Sequence, residues 1–455
     1  MLSCPSKVAC YRVSLSRIAV ERNGLSRTVS NSRHSMNPLR SFQRSIASLR
    51  GAGRGRILFA VASGWGLLVG TRMAYPVLLP YIQDTYGLSL SVAGLLVTVL
   101  WLGSALGQLP GGILADRYSE RRIMAVGLAA VAVALSLVAS TNSPVVLFLA
   151  TGLVGLGLSL YPIARITVLT EIYPNAVGRA LGVTMATGDI GQTVLPPAVG
   201  FVAAAVAWQL GLGLLVPALL VLAGLVWVVV PDGVVDSQDI ELSPDLAREV
   251  FAALRTKTMA LVTVVLFLYI LVWQSFTGFY PTYLAEMKGL SEPVAGSIFA
   301  LFFGFGVVVK PIAGSAYDRI GMRGSLLAVL VGPVFGLAAL PFVEGFWPIV
   351  GLTAVISTML GSGAITQSYL SDAIPADIRG TGLGVVRTTA ASLGSLGPVA
   401  FGSIAERGPF EIPIPDFIFA GTDALVFSGF DVGYLVFAGL MALIVVLTSL
   451  MPDSS

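Results

Sequence analysis

Long apolar stretches separated by short polar loops recur along almost the whole chain. Windows of roughly 20 apolar residues, bounded by charged, glycine, proline or turn residues, predict membrane-spanning helices. Twelve are predicted, over residues 57–81, 92–115, 122–141, 145–170, 178–204, 209–231, 259–284, 293–317, 323–343, 346–371, 378–404 and 431–451. The longest polar connection, 232–258, follows the sixth. The predicted fold class is an all-α membrane protein.

Two charged segments interrupt the apolar pattern half a chain apart. They read GGILADRYSERR at 111–122 and GSAYDRIGMR at 314–323. Their aspartates, Asp116 and Asp318, lie 318 − 116 = 202 positions apart. The same short polar pattern, placed after the second and the eighth predicted helix, indicates an internal repeat.

A second pair of landmarks keeps nearly the same offset. Pro174 in YPNAVGRALG and Pro375 in IPADIRGTG differ by 201 positions. The sequence therefore predicts two pseudo-symmetric halves of six helices, residues 57–231 and 259–455. They are joined by a central cytosolic loop. Six spans return the chain to the same side of the membrane, so the halves have parallel topology and a substrate is expected at their interface.

The composition leaves the predicted fold unchanged and argues against several other classes of protein. Hydrophobic residues make up 55% of the chain and charged residues 11%, against about 25% charged in soluble domains. Cys4, Cys10 and His34 precede the first predicted helix and are the chain's only cysteines and histidine. We therefore expect no metal site, cofactor, enzymatic activity or nucleic-acid partner, and we expect a monomer in the lipid bilayer.

Loop charges predict the orientation. On the side of the N-terminus, the loops after residue 56 hold ten Lys and Arg residues, and the opposite loops hold Lys288 and Arg407. This positive-inside bias places both termini in the cytosol, and we expect the protein in the cytoplasmic membrane.

The N-terminal segment, residues 1–56, has a different composition. It carries eleven of the 27 Lys and Arg residues and one acid, Glu21, which is typical of a disordered tail. Two alternatives stay open: translation that starts at Met36, and an organelle transit peptide.

The repeated charged segments resemble the signature of the major facilitator superfamily between helices 2 and 3 and its copy between helices 8 and 9. The first copy departs from that signature at Ser119 and Glu120, where the family usually has glycine and a basic residue. The second copy keeps Gly321 and Arg323. The resemblance implies two six-helix halves that rock about a central site.

A gate between the halves is expected at these segments. Asp116 would face Arg379 and the N-terminus of helix 11, and Asp318 would face Arg179 and helix 5, because a helix N-terminus attracts a carboxylate. The alternative is that these charges only fix the topology. The candidate gate residues are Gly112, Asp116, Arg117, Arg121, Gly314, Asp318, Arg319, Arg323, Arg179 and Arg379.

Five charged residues fall inside predicted spans, where a charge usually faces a cavity or a partner. Arg72 lies about nine residues, or roughly 13 Å, from the outer end of helix 1. Asp189 is a candidate for proton or sodium coupling, or a counter-ion for Arg72 or Arg387. Arg387 lies near the midplane, whereas Lys310 and Arg165 are near enough to the cytosolic surface to snorkel.

The setting of Arg72 resembles helix 1 of anion-handling facilitators, in which an arginine precedes a proline by eight residues, as Arg72 precedes Pro80. Those families often carry an acid before that arginine, where Thr71 stands here. Further candidates that add hydrogen-bonding capacity, or serve only packing, are Gln192, Gln274, Tyr280 and Gln367.

The predicted function is secondary active transport of a small anionic solute, because intramembrane cations outnumber the single central acid. One alternative is an exporter of drugs or hydrophobic solutes, and another is a membrane sensor that transports nothing. Substrate identity, transport direction and the coupling ion are left open by the sequence.

Overall fold

A computed structural model describes the chain over residues 53–108, 110–111, 114, 118–232, 256–374, 379–413 and 424–451. The predicted tail up to residue 52 and most of the central loop lie outside the described residues. So do three candidate gate residues, Gly112, Asp116 and Arg117.

Helices of the first half are named α1 to α6. They are α1 (Arg54–Tyr86), α2 (Leu90–Leu106), α3 (Glu120–Ser140), α4 (Pro144–Ser159 and Tyr161–Ile172), α5 (Val177–Ala205) and α6 (Trp208–Gly213 and Leu215–Val229). Those of the second half begin with α7 (Lys257–Glu286). The helical run Glu292–Ala339 is broken at Gly321, and the parts before and after it are α8 and α9. The remaining helices are α10 (Phe346–Ser357 and Gly361–Ala373, joined by a 3-10 turn), α11 (Arg379–Gly394 and Gly397–Ala405) and α12 (Gly429–Ser449).

Helix is present in each of the twelve predicted segments, and the prediction of a helical membrane protein is confirmed. Within the described part of the chain, eight helical stretches are long and apolar enough to cross a membrane. The largest difference is α1, which runs from Arg54 to Tyr86 instead of 57–81. Arg72 is therefore 86 − 72 = 14 residues from the end of α1, deeper than expected.

A small β-hairpin lies between α11 and α12, where no strand was predicted. β1 (Phe410–Pro413) pairs antiparallel with β2 (Ala424–Phe427). The Phe427 ring packs edge-on against Phe342, with 5.7 Å between the ring centroids. Strands of four residues are too short for alternation of polar and apolar positions to identify them in a sequence.

Glycines let the same helices approach closely in both halves. In the first half, Gly70 of α1 faces the backbone of Gly191 in α5. In the second half, Gly397 of α11 faces the backbone of Leu271 in α7. A Cβ atom at either glycine would overlap the neighbouring helix. The equivalent helix pairs, α1 with α5 and α7 with α11, are thus both in close contact at a glycine, as expected of a repeat.

Glycines in α2 and just after it also contact a neighbouring helix. A Cβ atom at Gly103 would lie 2.8 Å from the carbonyl oxygen of Gly152 in α4. A Cβ atom at Gly107, the residue that follows α2, would overlap Ser159 of α4. These glycines therefore let α2 approach α4 closely.

The helix bundle has two ends, the Glu406 end and the Arg179 end. The Glu406 end is where α1 ends and α2 begins, and the Arg179 end is where α4 ends and α5 begins. At the Glu406 end, α2 and α11 touch, with Gly94 against Pro398 and Gly402 against Leu90. The pseudo-equivalent pair, α5 and α8, also packs there, with Gly296 near α5. The halves are therefore closed on each other at this end.

Candidate functional site

A polar cavity of about 320 Å³ lies between the two halves. Its walls come from α1, α2 and α5 of the first half and from α7, α8, α10 and α11 of the second. Three cations line it, and among the described lining residues none is acidic. They are Arg72, Lys310 and Arg387. The cavity is thus a cationic chamber shared by both halves.

The two deepest predicted arginines line this cavity from opposite halves. The Arg72 guanidinium lies 4.3 Å from the centre of the Trp101 ring, a cation–π contact, and its Nε atom has no hydrogen-bond partner. Arg387 donates a hydrogen bond from Nη1 to Oε1 of Gln367. Neither arginine has an acidic partner among the described residues, so both retain donors for a ligand.

Asp189 pairs with Lys310, whereas the counter-ion alternative had named Arg72 or Arg387 as its partner. Nζ of Lys310 lies 2.5 Å from Oδ1 of Asp189, and the same oxygen accepts a hydrogen bond of 2.8 Å from Nε2 of Gln192. The pair joins α5 to α8 and therefore joins the halves. Lys310 was expected to snorkel to the surface. Its Nζ is held instead by the one central acid, because an intramembrane charge is stabilised by a partner of opposite sign.

Among the predicted polar candidates, Gln192, Gln274 and Gln367 line the cavity and Tyr280 does not. The Tyr280 hydroxyl lies 2.6 Å from Oγ1 of Thr353, inside the second half. Its ring stacks on Phe276 with 4.5 Å between centroids. The structure thus places Tyr280 in the packing of that half, the alternative stated for it.

Arg165 is also away from the cavity lining. Its side chain is 2% exposed, and its guanidinium lies 4.0 Å from the centre of the Trp65 ring. Nη1 donates a hydrogen bond of 3.0 Å to Oγ1 of Thr184. Arg165 therefore ties α4 to α1 and α5 within the first half, which is a structural arrangement.

Several lining residues were missed by sequence reasoning. Trp101 of α2 and Trp273 of α7 meet edge to face, with ring centroids 5.1 Å apart. Gln108 and Phe303 also line the cavity. The repeat offset was the available signal, since 303 − 101 and 310 − 108 both equal 202. Applied to Lys310, that offset would have identified Gln108.

Arg121, a candidate gate residue, contacts its own half. Its Nη2 lies 2.6 Å from Oδ2 of Asp232, which follows α6, and Arg122 lies 3.3 Å from the same oxygen. Ser119 donates a 2.6 Å hydrogen bond to Oδ1 of Asp232. The Ser119 bond, followed by the two arginines, lowers the pKa of Asp232 below its ordinary value. This cluster fastens the α2–α3 turn to the end of α6.

The second copy of the gate sequence is exposed at the Arg179 end. Asp318 and Arg319 are exposed. A Cβ atom at Gly314 would meet no neighbour. The side chain of Arg379 lies outside the described residues, and Arg323 lies just after the turn at Gly321. The expected contact of Asp318 with Arg179 stays a prediction.

The two gate segments share a backbone turn at their 202-residue offset. Gly321 has φ 68° and ψ −176°. Ser119 has φ 96° and ψ 141°, although it is not glycine. Both values lie in or beside a region that is essentially restricted to glycine and costs other residues about 1–3 kcal/mol. The first copy thus keeps the turn despite its departure from the signature.

Glu406 connects the halves at the opposite end. Its Oε2 atom accepts hydrogen bonds from the Ser91 backbone N–H, from the Ser89 hydroxyl, both at 3.1 Å, and from the Ser91 hydroxyl. These groups form the N-terminus of α2, where the helix dipole favours an anion. The Ser91 hydrogen bonds hold the pKa of Glu406 below its ordinary value. The carboxylate of one half therefore caps a helix of the other.

Two six-helix repeats that share a cavity have the architecture of a membrane transporter. The chain belongs to the Major Facilitator Superfamily, whose family model matches residues 60–398. It is a multi-pass transporter, not an enzyme.

Curated relatives and solved structures agree with that family. The chain is 25% identical over 363 residues to the hexuronate transporter of Bacillus subtilis, covering 74% of this chain and 84% of that protein. It is 29% identical over 315 residues to the 3-(3-hydroxy-phenyl)propionate transporter of Escherichia coli, covering 66% and 73%. The crystal structure of the nucleoside transporter NupG matches with a TM-score of 0.69 at 14% identity, over 87% of this chain and 98% of that one.

Proposed function

We propose that the protein is a secondary active transporter of a small organic anion. The observation that carries the proposal is the charge of the cavity. Three cations line it, and the one acid in contact with them, Asp189, is held by Lys310. Arg72 and Arg387 are left to bind a negative group, and they belong to different halves. An anion between them would reduce the cost of keeping two charges within the membrane.

The names of the relatives support an anionic solute. Hexuronate and 3-(3-hydroxy-phenyl)propionate are carboxylates, and a third relative is a probable sulfoacetate transporter, 26% identical over 371 residues. These solutes belong to those proteins, and what transfers to this chain is their shared negative charge.

Transport would follow from rocking of the two halves around the cavity. Loop cations predict that the Arg179 end is cytosolic, so the closed Glu406 end would face outward and the solute would exchange with the cytosol in this conformation. A bound anion attracts Arg72 and Arg387 together, which favours closure of the Arg179 end. Breaking and reforming of the Asp189–Lys310 pair, which joins the halves, would couple their rocking to an ion gradient of protons or sodium.

The exporter alternative has one supporting observation, the aromatic residues of the lining: Trp101, Trp273, Tyr269 and Phe303. The volume weighs against it. About 320 Å³ lies at the low end of the range for small-molecule pockets, which favours a small solute over a large drug. The cations would also be unfavourable for cationic or neutral drugs.

Uptake by purified protein in liposomes tests the proposal. Glucuronate is the anionic probe, and glucose is its uncharged counterpart. We expect accumulation of glucuronate alone, and a loss of at least 100-fold in its uptake for Arg72→Gln and for Arg387→Gln. Arg56→Gln, which changes an exposed arginine outside the cavity and outside the gate segments, is the matched control.

Two results would contradict the proposal. One is normal anion uptake by both cavity variants. The other is an absence of uptake of any carboxylate by wild-type protein that still binds it, which would support the sensor alternative.

A further inference from the structure

The charges around the cavity do not balance among the described residues. Arg72, Lys310 and Arg387 line it, and Asp189 is the acid that contacts one of them. Every other acid in the described part of the chain lies at a helix end or in a loop. Three cations and one acid leave a net charge of +2. Because unpaired charges within the membrane are costly, a ligand with two negative charges would lower that cost further than a ligand with one.

Both unpaired arginines keep donor atoms for a ligand. Nε of Arg72 is buried, but no hydrogen bond among the described residues engages its Nη1 or Nη2 atoms, and these two keep accessible surface. Nη1 of Arg387 donates to Gln367, which leaves the edge of the guanidinium formed by Nε and Nη2. The Arg387 side chain is exposed and lines the cavity. Each guanidinium therefore offers two nitrogen donors, the number that a bidentate contact with a carboxylate uses.

The two guanidinium groups are held in separate settings. Arg72 is on α1 and lies against the Trp101 ring, whereas Arg387 is on α11 and is held by Gln367. They therefore form two anion-binding positions in one cavity, one from each half. The cavity volume of about 320 Å³ is at the low end of the range for small-molecule pockets, so a solute that reaches both positions must be short.

We propose that the solute is a short dianion with two separate anionic groups, one bound by Arg72 and the other by Arg387. The inference rests on the proposed function and specifies the charge of its solute. Asp189 and Lys310 stay paired with each other, so the two charges of the solute balance the two arginines. A monoanion leaves one arginine without a partner and should bind more weakly.

Binding to the purified full-length protein tests this inference with ligands matched in size. The probes are malonate, succinate and glutarate, each compared with its own monoamide, in which a neutral carboxamide replaces one carboxylate. Both carboxyl groups of the diacids are ionised at about pH 8, and ionic strength is kept equal. For at least one chain length, we expect the diacid to bind wild-type protein about 10-fold more tightly than its monoamide, or better.

Two variants of Arg387 test the role of its charge. In Arg387→Gln, one unpaired cation remains, and the preference for the diacid should fall to about 2-fold or less. Arg387→Lys keeps the charge and should keep most of the preference. Arg56→Gln is the matched control, since it removes an exposed arginine outside the cavity and should leave the preference unchanged.

The outcomes separate this inference from the proposed function. If the diacids, their monoamides and glucuronate all fail to bind, the proposed function is overturned and the inference with it. If each monoamide binds as tightly as its diacid, the proposed function survives and the inference is overturned. A preference that persists in Arg387→Gln overturns the assignment of the second anionic group to Arg387, and one that is lost in Arg387→Lys overturns the argument from charge. The wild-type comparison of ligands stands even if a variant fails to fold.

Discussion

The two halves repeat one helix order and differ at the positions that face the cavity. At the 202-residue offset, Arg72 of the first half corresponds to Gln274 of the second, and Gln108 corresponds to Lys310. All four line the cavity. At these two positions, each half therefore presents one cation and one glutamine, at exchanged places. The repeat therefore supplies the helical scaffold, and the positions at which the halves differ supply charged and amide groups of the cavity.

Among changes that make one half copy the other, the largest effect is expected at Lys310. Lys310→Gln reproduces Gln108 and removes the partner of Asp189. We expect accumulation of the anion against a gradient to fall at least 10-fold, while exchange of labelled for unlabelled anion continues. The reason is that exchange needs closure around the solute, whereas accumulation needs the Asp189–Lys310 pair to break and reform. Both rates are measured in liposomes.

Gln108→Lys is the reverse copy and serves as its control. In the Lys310→Gln background, Gln108→Lys should not restore accumulation. Asp189 pairs with a residue of α8, whereas residue 108 lies just after α2, on a different wall of the cavity. If Lys310→Gln lost accumulation and exchange equally, the Asp189–Lys310 pair would have no role in the coupling step and would be a structural contact.

The scaffold was predictable from the sequence because its signals are long or repeated. Twenty-residue apolar windows identified the helices, and the 202-residue offset identified the halves. The depth of Arg72 and Arg387 in their helices was likewise readable, since a central charge in an apolar helix is costly. The positions of Trp101 and Trp273 at the cavity could not be predicted, because an aromatic residue in a membrane helix can equally well face lipid, another helix or a cavity.

The ion-pair partner of Asp189 was also unpredictable from the sequence. Asp189 had several cations at similar depth as candidate partners, and the choice of Lys310 depends on which helix faces α5 across the cavity. The turn at Ser119 was hidden for a different reason. Its residue type contradicts its backbone conformation, so only the equivalent Gly321 pointed to a tight turn.

A smaller effect is expected when the second half copies the first at this turn. Gly321→Ser places a side chain at φ 68° and ψ −176°, and we expect a loss of about 2 kcal/mol in stability. Gly314→Ser is the matched control, because a Cβ atom there meets no neighbour and its backbone is helical. Thermal unfolding in detergent measures both. An unchanged melting temperature for Gly321→Ser would contradict the strain argument.

The contact at Glu406 has no copy in the other half, since 406 − 201 = 205 is an alanine. Glu406→Gln weakens the cap on α2, and we expect the halves to separate there several-fold more often. A cysteine at Thr98, which is 2% exposed and accepts a hydrogen bond from the Val399 backbone N–H, reports this separation by its labelling rate. Cys4 and Cys10 are replaced by serine in that background.

Acid should have the same effect as Glu406→Gln. Because the pKa of Glu406 is lowered in the closed state, the carboxylate stabilises closure above the ordinary glutamate pKa of about 4.3, and this stabilisation is lost as pH falls through the lowered pKa. Labelling of the Thr98→Cys protein, divided at each pH by that of a free thiol in solution, should be constant from pH 8 to about pH 5 and rise below that range. A rise that is equally present in Glu406→Gln would assign it to another group.

The smallest effect is expected when the first half copies the second. Ser119→Gly removes a side chain from φ 96°, which relieves strain of about 1–3 kcal/mol. It also removes the exposed hydrogen bond to Asp232, which offsets part of that relief. We therefore expect a net gain in stability, measured by thermal unfolding, and a pKa of Asp232 that rises toward its ordinary value because Ser119 is the largest cause of its depression. Ser119→Ala keeps the strain and loses the bond, so it should be less stable than both wild type and Ser119→Gly. If the alanine variant matches the glycine variant, the unusual backbone of Ser119 carries no strain, and the two halves differ at this turn in sequence alone.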